Sequence, residues 1–126
     1  METRPAAIDD AAGIARVLVD TWKETYQGIL PDEVLQRLKY GVQQKRWAKI
    51  LARADGREGI FVAVREDLEI VGFASGGPNR DHHGKDEGEL YAIYVRRDYQ
   101  GQGLGRALWR QVAVWLAALN FQSLVV

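Results

Sequence analysis

Three glycines, Gly101, Gly103 and Gly105, stand at alternate positions in the stretch YVRRDYQGQGLGRALWRQV, which runs from Tyr94 to Val112. Glycine is entropically costly to order, so such a cluster points to positive φ angles or to a ligand that approaches the backbone closely. An apolar run precedes the glycines and an amphipathic pattern follows them, which makes the segment a strand, a turn and a helix N-terminus. The first N–H groups of a helix lack internal partners and sit at the positive end of its dipole, so the chemistry on offer is anion binding, with phosphate as the leading candidate. Arg96, Arg97 and Arg106 flank the turn, either as charge-assisted contacts to that anion or as surface cations. A dinucleotide fingerprint, G-x-G-x-x-G, needs glycine at 106 or 108, where Arg106 and Leu108 stand. A Walker loop needs Lys followed by Ser or Thr, a pair absent from this sequence. What remains is Gln100-Gly101-Gln102-Gly103-Leu104-Gly105, a Q-x-x-G-x-G run.

Other reactive side chains are few. Glu89 lies eleven residues before Gln100, at the start of the strand, either as a carboxylate placed to take a proton or as a solvent-facing strand end. Ser75 has the hydroxyl of a nucleophile but no recognisable base beside it. His82 and His83 adjoin in a Gly- and Asp-rich loop without a third His or any Cys, which reads as a solvated loop tip, so no metal is expected.

The elements that must position these groups follow from periodicity. Asp9 or Asp10 caps a first helix with Ile14, Val17, Leu18, Thr21 and Trp22 at helical spacing, ending near Gly28. LPDEVLQRL restarts a helix with Pro31 in its first turn, and VQQKRWAKILARA continues the pattern through Gln43, Trp47, Ile50 and Leu51 until Asp55 and Gly56 break it. GIFVAVRE and LEIVGFASGG, joined by a charged turn at Glu66 and Asp67, read as an antiparallel hairpin with both faces covered. A polar loop, PNRDHHGKDEGE, leads to the strand ELYAIYV. Beyond the glycines, Leu104, Ala107, Leu108, Val112, Trp115, Leu116 and Leu119 form a wide apolar stripe that buries a helix against the sheet. Asn120 stops that helix, and SLVV begins another strand. This order gives an α+β or mixed α/β layout.

With 126 residues the chain is the size of one domain, spanning 1–126, and large enough to bury a core. Seventeen basic side chains balance seventeen acidic ones, which excludes the broad positive field of a nucleic-acid binder and leaves anion recognition to local groups. The absence of cysteine removes disulfides, thiolate metal sites and a cysteine nucleophile. The N-terminus has no basic stretch followed by an apolar one, and no run approaches membrane-spanning length, so a soluble cytoplasmic protein without a membrane partner is expected.

The Q-x-x-G-x-G run, together with GELYAIYVRRDYQGQGLGRALW around it and DTWKETYQGILPDE near the N-terminus, resembles the GNAT superfamily of acyl-CoA N-acyltransferases over nearly the whole chain, from Arg4 to Val126. The resemblance implies a three-layer fold with a largely antiparallel central sheet and helices on both faces. It implies acetyl-CoA as cosubstrate, its pyrophosphate held by backbone amides of Gln100, Gly101, Gln102, Gly103, Leu104, Gly105 and Arg106, and its pantetheine arm paired with Ile93, Tyr94 and Val95. Val95 N–H takes an oxyanion-hole role and Glu89 that of general base in this reading. A base is wanted because a primary amine, with a pKa of about 10, must lose a proton before attacking a thioester. The acceptor is the amine of a small molecule or a protein. Tyr26 and Ile29 match the region that lines the acceptor pocket in the family; Trp22 reads as core, and Tyr26 as either core or pocket.

In the family the strand beginning at SLVV continues into a further helix and at least one more antiparallel pair of strands. That helix usually carries a tyrosine near the CoA sulfur, a role not transferred to Tyr91, Tyr94 or Tyr99. The expectation is a shortened acetyltransferase with reduced or absent activity that closes its sheet through a second copy, as a homodimer formed by strand or segment exchange. Two alternatives are a CoA-binding module without catalysis and an interaction domain whose glycine turn is purely structural.

Overall fold

The charged turn after β2 organises the sheet. In a computed structural model that describes residues 1–26, 28–53, 58–78, 87–119 and 123–125, β2 (Gly59–Val64) and β3 (Ile70–Pro78) form the expected antiparallel hairpin. Arg65 N–H closes its turn on Glu69 O at 2.9 Å, and the Asp67 carboxylate accepts Glu69 N–H at 3.1 Å. Leu68 takes the left-handed φ of 70° that the tight reversal demands.

A strand that the sequence reading does not contain, β1 (Glu2–Pro5), pairs antiparallel with the other edge of β2. Its charged and proline residues carry little strand signal, and an edge position tolerates the missing N–H of Pro5. Arg4 locks β1 to the first helix: its guanidinium donates to both oxygens of Asp10, at 2.8 and 3.0 Å. Ala7 N–H adds a third bond to that carboxylate at 2.7 Å. Asp10 therefore serves as the joint between β1 and α1 (Ala11–Thr25), and its side chain does not cap the helix as expected. Hydrogen bonding from Arg4 holds its carboxyl below the ordinary range.

The helical pattern between residues 31 and 51 resolves into two helices, α2 (Asp32–Arg37) and α3 (Tyr40–Leu51), with Pro31 at the cap position before α2. Buried Leu38 fills the break, and Gln43 Nε2 donates to Arg37 O at 2.8 Å, tying the second helix to the end of the first.

Completing the sheet, β4 (Glu87–Val95) runs antiparallel to β3, and β5 (Ser123–Val125) runs parallel to β4, giving the order β1-β2-β3-β4-β5. Strand alternation divides the core in two. Ile60, Val62, Val64, Ile70 and Phe73 meet Ile14, Val17, Leu18 and Trp47 of α1 and α3. Phe61, Ala63, Val71, Ala74 and Leu90 meet Leu104, Leu108, Val112 and Leu116 of α4 (Leu104–Ala118). This is the helix-sheet-helix layering expected. The apolar stripe on α4 is narrower than its sequence suggests, because Leu119 is exposed. At Gly76 a Cβ would stand 2.5 Å from Val112 Cγ1, so glycine is what lets α4 lie directly on β3.

Register along β4 shifts once. Ser75 faces Ala92 and Gly76 faces Leu90, leaving Tyr91 as an extra residue. The bulge inverts the alternation: Leu90 packs toward α4, whereas Ala92 and Tyr94 pack toward α1 and α3.

Candidate active site

The glycine turn follows directly on the end of β4. A short 3-10 turn (Arg97–Tyr99) leads into Gly101 and Gly103, which adopt φ of 79° and 82°, conformations costly to any residue with a Cβ. Gly103 stands at the cap position of α4, and no side chain caps that helix. The first bond of the helix runs from Ala107 N–H to Gly103 O at 3.0 Å, so the N–H groups of Leu104, Gly105 and Arg106 come before the intrahelical ladder. Gly105 has neither a positive φ nor any atom within 4 Å of where its Cβ would be. Nothing inside the protein requires glycine there. No side chain caps the N–H groups at this helix N-terminus, and a pyrophosphate fits that donor set.

Gln100 closes the loop from below. Its Nε2 donates to Val95 O at 3.0 Å, fixing the turn against the last residue of the strand. The sequence reading assigns Gln100 only a backbone contact; this side-chain brace is additional. Arg96 is a correction: it reaches Glu69 at 2.7 Å and Asp20 at 3.9 Å, joining the β2–β3 turn to α1. Its charge is spent inside the protein and is not held at the glycine turn. Arg97 and Arg106 are exposed beside the turn.

The edge of β4 is the second component. Arg96 N–H bonds to Val71 O at 2.8 Å. Antiparallel pairing alternates, so Tyr94 N–H also turns toward β3, and those of Ile93 and Val95 turn to the far edge. Among the described residues β5 pairs with Glu87, Gly88 and Glu89 only. The N–H groups of Ile93 and Val95 thus face an edge that no described strand covers, with the geometry of a strand awaiting an extended partner.

Glu89 lies at the paired end of β4. A Cβ on Gly88 would sit 2.9 Å from Leu116 of α4, so Glu89 projects from the opposite face of the sheet, the face of Ser75 and Tyr91. On that face opens a cavity of about 860 Å³, bounded by α1, α2, α3 and β4. Its wall includes Trp22, whose Nε1 donates to the Tyr94 hydroxyl at 3.2 Å, along with Trp47, Ser75, Tyr91 and Ala92. Trp22 therefore both packs and lines the cavity. Tyr26 and Ile29 are not on the cavity wall: Tyr26 leans on Trp22 with ring centroids 5.1 Å apart, and Ile29 is 73% exposed. The contribution of α3 to the cavity has no counterpart in the sequence reading, where Gln43 and Trp47 register only as helix periodicity. Its signal is the run QQKRWAKI, in which bases and apolar residues alternate without an acid.

His82 and His83, together with the Asp55–Gly56 break and Asn120, lie outside the described residues. Among the described residues no group of three His, Cys, Asp or Glu side chains is placed to hold a metal. No described helix is long and apolar enough to cross a membrane.

Comparison with known proteins agrees with this geometry. The sequence profile of the Acetyltransferase (GNAT) family matches residues 13–126. The chain is 39% identical over 123 residues to the uncharacterized N-acetyltransferase YuaI of Bacillus subtilis, covering 98% of this chain and 68% of that protein. It is 30% identical over 116 residues to the aminoglycoside N(6')-acetyltransferase type 1 of Stenotrophomonas maltophilia, covering 89% of this chain and 65% of that one. The chain thus spans about two thirds of the length of these curated relatives. Among solved structures, the PaiA N-acetyltransferase of Thermoplasma acidophilum in complex with coenzyme A superposes with a TM-score of 0.76 at 19% identity, over 95% of this chain and 74% of that one. A glycine turn feeding an uncapped helix, a strand with a free edge beside it and a profile match that includes both leave one assignment: the chain belongs to the GNAT acetyltransferase family.

Proposed function

We propose that this protein transfers the acetyl group of acetyl-CoA to a primary amine of a small molecule or a protein, by direct attack in a ternary complex. The observation that carries the reading is the turn as a whole, with Gly101 and Gly103 at positive φ leading from β4 into a helix N-terminus that no side chain caps. Backbone N–H groups from Gly101 to Arg106 hold the pyrophosphate, with the dipole of α4 adding to them; that of Gln100, expected among them, is taken by Arg97 O at 3.3 Å. The far edge of β4 receives the pantetheine arm in strand fashion, with Ile93 N–H among its donors, which brings the thioester alongside the strand. Val95 N–H donates to the thioester carbonyl oxygen as negative charge develops on it.

The amine enters from the cavity side. Glu89, on that face, takes the proton that the amine must shed, directly or through water. The nitrogen forms its bond to the carbonyl carbon, the carbon–sulfur bond breaks, and CoA leaves as its thiolate. Ser75 is buried in the cavity wall and has no covalent part in this scheme. The relative named for aminoglycosides supports an amine as the acceptor.

Thermal unfolding with and without acetyl-CoA tests the first half, since a ligand of the native state raises the melting temperature. Release of free CoA in the presence of an amine panel tests the second. Stabilisation without CoA release from any amine would leave a CoA-binding module, and no stabilisation at millimolar acetyl-CoA would remove the reading altogether.

A further inference from the structure

The charges that line the cavity on the α1/α3 face are predominantly basic. Arg37 at the end of α2 and Lys45, Arg46, Lys49 and Arg53 on and after α3 contribute to its wall, against a single carboxylate, Glu58. Glu58 lies 3.6 Å from Arg53, which leaves four cations without an ion-pair partner among the described residues. On α3, Arg46 and Lys45 each stand one turn before Lys49, and Arg53 follows two residues after the helix ends at Leu51. Like charges at this spacing repel and weaken a helix, and α3 contains no acid to offset them. Beside this basic edge the wall is aromatic and apolar, with Trp22, Trp47, Ile60 and Tyr94. At the β4 end, on the same face of the sheet, stands Glu89.

We infer that the acceptor is a zwitterionic amine, whose ammonium end lies toward Glu89 and whose anionic end, a carboxylate or a phosphate, lies against the basic edge of α3. This rests on the acetyl-transfer reading and narrows it. A polyamine such as an aminoglycoside carries several positive charges, and the same wall repels it. The cations are exposed, so each contributes modestly and is screened by salt; together they set a preference of about tenfold in affinity.

The test uses matched probes on the full chain: glycylglycine, its C-terminal amide, 2-aminoethyl phosphate and kanamycin. Binding is measured by calorimetry in low salt with CoA present, and turnover by CoA release. The expected order places glycylglycine or the aminophosphate about tenfold ahead of the amide, with kanamycin last, and the gap closes several-fold in 0.5 M salt. Which of the two anions leads identifies the anionic group. An Arg46→Gln, Lys49→Gln double variant is expected to lose the preference, raising the KM of the anionic amine far more than it lowers kcat, whereas Arg46→Lys with Lys49→Arg keeps it. Equal binding of anionic and amide probes, preferred turnover of kanamycin, or an unchanged preference in the double Gln variant would each overturn the inference. Stabilisation by acetyl-CoA, measured on every variant, reports folding and the nucleotide site separately, so failure of the acetyl-transfer reading appears there and failure of the acceptor class appears only in the probe order.

Discussion

Replacing Gly105 by valine separates the two reasons a glycine can be kept. At Gly101 and Gly103 any side chain meets a backbone penalty of about 1–2 kcal/mol, so a loss of binding there is entangled with a loss of stability. Gly105 is free of that penalty and has no neighbour within 4 Å. Valine and glycine differ in helix propensity by only a few tenths of a kcal/mol, slightly in favour of valine. The ligand-free variant should therefore melt within about 2 °C of the parent protein. Acetyl-CoA binding should respond quite differently. A branched side chain over the first turn of α4 holds a pyrophosphate off the N–H groups, and losing one or two charge-assisted hydrogen bonds at about 1.5–3 kcal/mol each corresponds to roughly 100-fold weaker binding. Titration calorimetry with acetyl-CoA and a melting curve without it provide both numbers. Binding within threefold of the parent protein would mean that nothing sits against Gly105, and a melting point lowered by more than about 5 °C would mean that the glycine serves packing.

Three further outcomes are expected. Glu89→Gln should lower kcat about 100-fold while the Kd for acetyl-CoA stays within threefold, and an undiminished rate would place the base elsewhere. Asp10→Asn weakens the clamp from Arg4 and Ala7 and should cost about 2 kcal/mol at neutral pH. Because the Asp10 carboxyl titrates below its ordinary value of 3.8, its contribution is complete above that value and is lost as the pH falls through the lowered one; melting curves of the two proteins should converge as the solution is acidified further. Gly76→Ala drives a methyl to 2.5 Å from Val112 Cγ1 and 2.9 Å from Glu89 O and should destabilise the fold by about 2 kcal/mol in urea titration, a penalty that Val112→Ala in the same chain should partly relieve.

Most of the architecture was legible because it rests on strong periodicity. The hairpin, β4, α4 and α1 each carry apolar residues at a spacing that only one secondary structure can bury. The glycine turn was legible for a different reason: alternate glycines between a strand and a helix leave few uses other than anion binding. The misses share a cause in long-range contact. Nothing local marks Glu2–Pro5 as a strand, since its pairing with Phe61–Val64 and the Arg4–Asp10 clamp supply what its residues lack. For Arg96 the sequence offers an anion contact or a surface cation, because its neighbours in sequence are at the turn, while its neighbours in space, Glu69 and Asp20, come from two other elements. The cavity wall was invisible for the same reason: α3 and β4 are forty residues apart and meet only when the sheet is covered.

The additional residue at Tyr91 makes β4 two lengths of strand with opposite facing. Its first half directs Glu89 to one side and Leu90 into the base of α4; its second half holds the edge that runs up to the glycine turn. Under the proposed acetyl transfer, substitutions in the first half and in α3 would change which amines are accepted, while the second half would keep the nucleotide in place. One inserted residue thus lets a single strand present an acid on one side and an open edge on the other, two duties that an unbroken pleat would tie to the same face.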